Sequence, residues 1–135
     1  MYLGTQGRYN DDTQLEVLAQ LGVNHVDHTP SEPWTEWTTD MMVQMRERCD
    51  KFGIRLEMMH LPLRGRPAVA GEKAANDNYA GSIFLGEGPD RDRHIDQACD
   101  VIRMAGEAGL RGLNYNITIL GHMRTPSKKG RGGAT

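Results

Sequence analysis

The sequence alternates short apolar segments with longer amphipathic ones, which is the feature that most limits its possible folds. The predicted strands are 2–6, 23–28, 54–60 and 110–117. Strands that alternate with helices predict a parallel sheet, because a parallel connection needs a crossover that is usually a helix. About eight strands are needed to close a barrel with a filled interior. We therefore expect residues 1–135 to form a single partial domain of about four parallel strands with helices, which must either be covered on both faces or be completed by further strands into a barrel.

Each predicted helix begins near a capping residue or proline and ends at a glycine. The three helices run from Asp11 or Asp12 to Gly22, from Thr38 or Thr39 to Gly53, and from Pro89 to Gly109. Prolines predict a loop over 29–37, and a long loop rich in Gly, Ala, Asn and Pro is predicted over 61–88.

Composition excludes several classes of function. The chain is 38% hydrophobic and 25% charged, and its net charge of −2 gives no reason to expect nucleic acid or a membrane as partner. No apolar run approaches the roughly 20 residues of a membrane span, and the N-terminus lacks the pattern of a signal peptide. Cys49 and Cys99 both lie in predicted helices, where two reduced thiols are expected. These features predict a cytoplasmic protein.

Polar residues collect where the predicted strands end. The second, third and fourth strands end in Asp27-His28, His60 and Asn114-Tyr115-Asn116. In parallel α/β folds the carboxyl ends of the strands form the active face, because the loops there all lie on one side. This pattern favours a small-molecule site.

Two histidines and two tryptophans are the side chains of greatest interest near these ends. His28 and His60 each precede a proline-containing turn, where imidazole could bind a metal, move a proton, bond a hydroxyl or simply cap the turn. Trp34 is expected to stack on a ligand, and Trp37, beside the helix cap, to be structural. His94 lies in a charged first helical turn and is expected to be solvated.

The remaining candidates lie in the tail and on the third strand. Arg124 and Arg131 belong to a basic, glycine-rich tail that suits a carboxylate or phosphate, or else forms a solvated loop. Glu57 lies three residues before His60, so alternation predicts that the two face opposite sides of the sheet. No complete metal site is therefore expected within these residues.

Several short motifs resemble one superfamily. Leu3-Gly4-Thr5-Gln6 and Leu21-Gly22-Val23 are similar to the xylose-isomerase-like sugar isomerase and epimerase barrels. Within that superfamily, the following segments resemble mannonate dehydratases: His28-Thr29-Pro30 with Trp34 and Trp37-Thr38, Tyr115-Asn116 with Arg124-Thr125, the run 85–96, and 130–134.

The resemblance implies that residues 1–135 are the N-terminal half of a (β/α)₈ TIM barrel, with its C-terminal half absent from this chain, and that the partner is a small-molecule sugar acid or sugar. It also implies a lyase that uses a divalent metal such as Mn²⁺ or Mg²⁺ to convert D-mannonate to 2-keto-3-deoxy-D-gluconate. Its metal ligands would come from later strands beyond Thr135, so none is assigned here. The catalytic residues would be His28 and Tyr115, and the substrate-binding residues would include His60, Asn116 and Arg124, to which we add Trp34 and Arg131. The complete enzyme is expected to be a homo-oligomer, and the isolated chain to be inactive.

Two other interpretations of the sequence stay open. A sugar or sugar-phosphate isomerase or epimerase of the same superfamily would use two acid/base groups and need no carboxylate on its substrate. The other is a non-catalytic half-barrel that binds a sugar or pairs with a partner, which is a different class of function because it catalyses no reaction. Its unpaired strand edges would favour dimerisation or aggregation.

Overall fold

The computed structural model describes residues 2–64, 81–84 and 86–116, and in these ranges strands alternate with helices. The strands are β1 (Gly4–Gly7), β2 (His25–His28), β3 (Arg55–Arg64) and β4 (Gly112–Asn116). The α-helices are α1 (Asp12–Gln20), α2 (Thr39–Asp50) and α3 (Pro89–Glu107). Short 3₁₀ helices at Trp34–Glu36 and Gly81–Phe84 lie in segments predicted as loops. The predicted α/β class is confirmed.

The four strands form one parallel sheet in the order β1-β2-β3-β4. Because each crossover moves to the next strand in the same direction, right-handed connections place the helices on one face of the sheet. A doubly wound sheet would instead reverse direction and carry helices on both faces. The sequential order is compatible with half of a barrel.

The hydrophobic core lies between the sheet and the helices. Val26, Leu56 and Met59 are at most 3% exposed and face the helices. The other fully buried core side chains are Leu15, Met42, Cys49, Ile54 and Val101. On the opposite face of the sheet, the alternating residues of β2 and β3 are polar or only partly buried. The face of the sheet opposite the helices therefore carries polar side chains that a polar ligand can contact.

Side-chain caps fix where the first two helices begin. Asp11 Oδ1 accepts a hydrogen bond of 2.8 Å from the backbone N–H of Gln14, and the Gln14 side chain bonds back to the Asp11 N–H. This reciprocal pair is a capping box. Thr38 accepts from the N–H of Met41 at 3.1 Å, which selects Thr38 over Thr39 as the cap. The predicted starts of α1 and α2 are confirmed.

Strand β3 is longer than the sequence predicts, since it continues to Arg64 and not His60. Pro62 indicated a loop because proline has no N–H to donate to a ladder. The register between β3 and β4 shifts between His60 and Arg64, so the proline falls at an irregularity in the ladder. Proline inside a sheet is found at such positions.

Two side chains beside helix starts are buried: His94 in the first turns of α3, and Trp37 just before α2. His94 is 5% exposed, hydrogen-bonds Ser82, and lies edge-on to Trp34 with the ring centres 5.6 Å apart. The prediction of a solvated His94 is wrong, because helical spacing places it on the same face as the buried Ala98 and Val101. Trp37 is 6% exposed, and its indole N–H donates to the Glu32 carbonyl at 3.0 Å, as expected for a structural residue.

Glu57 lies on the same side of the sheet as His60, contrary to the prediction from simple alternation. Glu57 Oε1 is 2.7 Å from His25 Nδ1, and His25 shares its face of β2 with Asp27. Asp27 in turn bonds Asn114, which is the register partner of His60. A register shift between β2 and β3 inserts Glu57 as an extra residue and reverses the alternation there.

Gly109, which ends α3, provides a test of the helix packing. Its φ is +73°, and a Cβ would lie 2.6 Å from Arg46 Nη1, which donates to the Ala108 carbonyl. We expect Gly109→Ala to lower the free energy of unfolding by about 1–2 kcal/mol, because it adds strain and displaces Arg46.

Urea denaturation would measure the effect, with Gly106→Ala as the matched control. Gly106 lies inside the same helix, and a Cβ there meets nothing within 4 Å. Alanine at that position should raise stability by about 0.5–1 kcal/mol through helix propensity. Equal effects of the two substitutions would contradict the packing argument.

Candidate functional site

Three polar side chains from neighbouring strands meet at the carboxyl end of the sheet, on the face opposite the helices. Asp27 comes from β2, His60 from β3 and Asn114 from β4. His60 and Asn114 are register partners, and the Asn114 side-chain amide donates to the Asp27 carboxylate oxygen Oδ2. We call Asp27, His60 and Asn114 the carboxyl-end cluster.

Four buried polar atoms of the carboxyl-end cluster have no hydrogen-bond partner within residues 2–64, 81–84 and 86–116. They are Asp27 Oδ1, Asn114 Oδ1, His60 Nδ1 and His60 Nε2. Leaving a buried donor or acceptor unpaired costs about 1–3 kcal/mol. Buried polar groups in folded proteins normally have a hydrogen-bond partner, and a molecule bound at the strand ends could supply the missing ones. Because carboxylate and amide oxygens accept hydrogen bonds, the cluster has capacity to bind hydroxyl groups.

Asp27 is the acid of the cluster. Burial raises the pKa of its carboxyl above the ordinary value of 3.8, and the nearby His60 opposes this by favouring the charged form. A carboxyl with a raised pKa exchanges a proton more readily near neutral pH than an ordinary aspartate does. Since Asn114 holds one carboxylate oxygen, the other is available to accept or donate a proton.

His28 does not join this cluster, although it ends the same strand as Asp27. Its ring is 5% exposed on the helix side of the sheet, where Nδ1 accepts a hydrogen bond of 3.2 Å from the backbone N–H of Tyr9. Burial, with contributions from Arg48 and Arg8, lowers its pKa from 6.5 to about 4, against the effect of Glu32. Successive residues of a strand face opposite sides, so His28 and His60 are not brought together.

The other predicted site residues are scattered. Tyr115 is 59% exposed at the end of β4, and alternation places it on the face opposite Asn114 and Asn116. Asn116 shares the face of Asn114 and is exposed. Trp34 is 2% exposed within the core, which weighs against a ligand contact. Arg124 and Arg131 lie outside the described residues.

Sequence reasoning missed Asp27 and Asn114 as individual site residues. Both belong to the polar strand ends noted in the sequence, but His28 and Tyr115 attracted attention by residue type. The alternation of side chains along a strand could have distinguished Asp27 and Asn114 from His28 and Tyr115. A strand-end residue is the better candidate when it lies on the same face of the sheet as a polar residue of the neighbouring strand. For β2 that residue is Asp27, which lies one position before the histidine.

The described residues do not provide a complete metal site. Among them no group of three His, Cys, Asp or Glu side chains converges. The carboxyl-end cluster offers one carboxylate, one imidazole and one amide oxygen, whereas divalent metals take three or more such ligands. We therefore assign no metal to this cluster.

Comparison with known proteins gives no relative. No protein-family model, no curated protein and no solved structure matches the chain. As for membranes, none of the helices in the described part of the chain is long and apolar enough to span one. The carboxyl-end cluster and the resemblance in short sequence motifs are therefore the two grounds for assigning a function.

Proposed function

We propose that the carboxyl-end cluster is part of the substrate site of a sugar-acid dehydratase that converts D-mannonate to 2-keto-3-deoxy-D-gluconate. The observation that carries the proposal is the convergence of Asp27, His60 and Asn114 from three adjacent strands, with four buried atoms left to be paired. Parallel α/β folds bind substrates at this end of the sheet. The choice of reaction follows the resemblance of the sequence motifs to mannonate dehydratases.

The chemistry requires two proton transfers. A base removes the proton from C2, the carbon next to the carboxylate. The bond between C3 and its hydroxyl then breaks, and an acid protonates the departing oxygen to give water. The resulting enol then tautomerises to the 2-keto product. Asp27 and His60 are the two groups of the cluster that can hold and release protons, and Asn114 keeps the Asp27 carboxylate oriented.

Other parts of the proposal come from the sequence. Arg124 is proposed to pair with the substrate carboxylate, because a guanidinium matches its two oxygens. A complete enzyme of this kind would use Mn²⁺ or Mg²⁺ and form a homo-oligomer in the cytoplasm as a full TIM barrel. The described residues offer no complete set of ligands for such a metal, so no step is assigned to it.

An isomerase or epimerase is the second candidate, and a specific feature favours it. Asp27 and His60 provide two ionisable groups on adjacent strands, as a reaction through an enediol needs. This enzyme would act on a neutral sugar or sugar phosphate and would release no water.

The product of the complete reading frame that contains this chain should be assayed with Mn²⁺ on D-mannonate and on D-mannose. We expect a 2-keto acid to form from D-mannonate and no change in D-mannose, with the isolated 135-residue chain inactive. Conversion of D-mannose alone would replace the dehydratase by the isomerase. If neither sugar reacts, the proposal fails, and saturable binding without turnover would support a non-catalytic module.

A further inference from the structure

A pocket with mixed polar and apolar walls lies on the helix side of the sheet, away from the carboxyl-end cluster. Its volume is about 390 Å³, which is within the range of small-molecule sites. It is open to solvent on one side and is lined by the loops after β1 and β2 and by one face of α2. The polar residues that line it include Tyr9, His28, Glu32, Gln44 and Arg48. We call it the His28 cavity.

Contacts between separate elements hold the walls of the His28 cavity. Asn10 Nδ2 donates to Ser31 Oγ at 2.8 Å and so joins the loop after β1 to the loop after β2. Arg48 Nε lies 2.6 Å from Asp12 Oδ1, which ties α2 to the start of α1. The cavity is therefore shaped by the fold and does not depend on one mobile side chain.

The cavity presents donors with a defined geometry. Nδ1 of His28 accepts from Tyr9, and burial keeps the ring neutral at pH 7, so Nε2 carries the proton. Nε2 makes no hydrogen bond within residues 2–64, 81–84 and 86–116, and the ring lines the cavity. Arg48 bonds Asp12 through Nε, and its two terminal nitrogens remain to bind a carboxylate.

The carboxylate of Glu32 further limits which molecules can bind in the His28 cavity. Glu32 lines the same cavity and is the only acidic side chain among its described lining residues. A carboxylate there accepts hydrogen bonds from hydroxyls and disfavours an occupant with several negative charges. An occupant that satisfies Arg48, His28 and Glu32 together has one carboxylate and at least one hydroxyl.

We propose that the His28 cavity is a binding site for a small hydroxycarboxylate, separate from the carboxyl-end cluster. The carboxylate binds the guanidinium of Arg48, the His28 Nε2–H donates to the ligand, and a ligand hydroxyl donates to Glu32. This site does not require the proposed dehydratase activity, because none of its residues belongs to the carboxyl-end cluster.

D-gluconate is a suitable probe, with D-glucitol as its uncharged comparator. In a titration of the ¹⁵N-labelled protein at pH 7, we expect saturable shifts of the backbone amides of Tyr9, Gln44 and Arg48. D-glucitol should bind at least about tenfold more weakly, because it lacks the charge that Arg48 recognises. Shifts confined to Asp27, Met58 and Asn114 would assign gluconate to the carboxyl-end cluster and overturn the proposal.

Variants separate the two sites. Arg48→Gln should weaken gluconate binding by about tenfold or more, whereas Asp12→Asn, which removes the charge but keeps an oxygen that can accept from Arg48 Nε, should retain binding. Asp27→Asn should also retain it, whatever its effect on turnover. Gln44→Ala, at an exposed wall position, is a second pocket variant and should weaken binding severalfold. Wild-type affinity in both Arg48→Gln and Gln44→Ala, or no saturable shift, would refute the site.

Discussion

Under the proposed dehydratase function, replacing Asp27 with asparagine is expected to lower kcat/KM for D-mannonate by about 10²–10⁴. General acid–base catalysis contributes a factor of this size, and the amide cannot exchange the proton that the carboxyl does. The substitution keeps the shape of the side chain, and the introduced amide oxygen can still accept the hydrogen bond from Asn114. Steady-state kinetics of the purified variant would measure the loss.

The same substitution should leave stability unchanged or increased. Burial raises the pKa of Asp27, which means that the folded protein disfavours the ionised carboxylate at neutral pH. An uncharged side chain removes that cost, so the melting temperature should not fall. Asp96→Asn, at an exposed position of α3, is the matched control and should change neither activity nor stability.

A large loss of kcat/KM together with an unchanged or higher melting temperature would indicate that Asp27 is a functional residue and not a structural one. A clear drop in melting temperature in Asp27→Asn would mean that its charge stabilises the fold through His60. Unchanged kcat/KM with a normal melting temperature would remove Asp27 from the reaction and, with it, the main support for the carboxyl-end cluster as the catalytic site.

Much of the fold could be predicted from local signals. Capping residues such as Asp11 and Thr38 and the glycines after each helix mark helix ends through hydrogen bonds that involve only near neighbours. The alternation of strands and helices then limits the sheet to a parallel one. These features need no knowledge of which residues meet across the sheet.

The site could be predicted only in part, because it depends on register. The polar strand ends were visible in the sequence, yet which residue of each end faces its neighbours changes with a shift of one position. Glu57 shows the effect, since a single inserted residue moves its side chain to the other face. His28 and His60 likewise share a motif in sequence but lie on opposite faces of the sheet.

Burial of His28 predicts a loss of stability in mild acid. Its pKa is about 4 in the folded protein and 6.5 when unperturbed, so the unfolded chain binds a proton more readily. Above pH 6.5 the ring is neutral in both states and costs nothing. As the pH falls from 6.5 to about 4, protonation increasingly favours the unfolded state. At about 1.4 kcal/mol per unit of pKa, the full loss is about 3 kcal/mol.

Carboxylates also titrate toward the lower end of this range, so the test compares wild type with His28→Asn. Asparagine removes the titration, and its side-chain oxygen can accept the Tyr9 N–H in place of Nδ1. Urea denaturation at several pH values between 4 and 7.5 should show wild-type stability falling more steeply, with a difference that grows below pH 6.5. The neighbouring charges Glu32, Arg48 and Arg8 are the same in both proteins, and therefore cancel in the comparison. Parallel curves would contradict the prediction. They would show that the imidazole takes up a proton in the folded state as easily as in the unfolded chain, despite the burial of His28 on the helix side of the sheet.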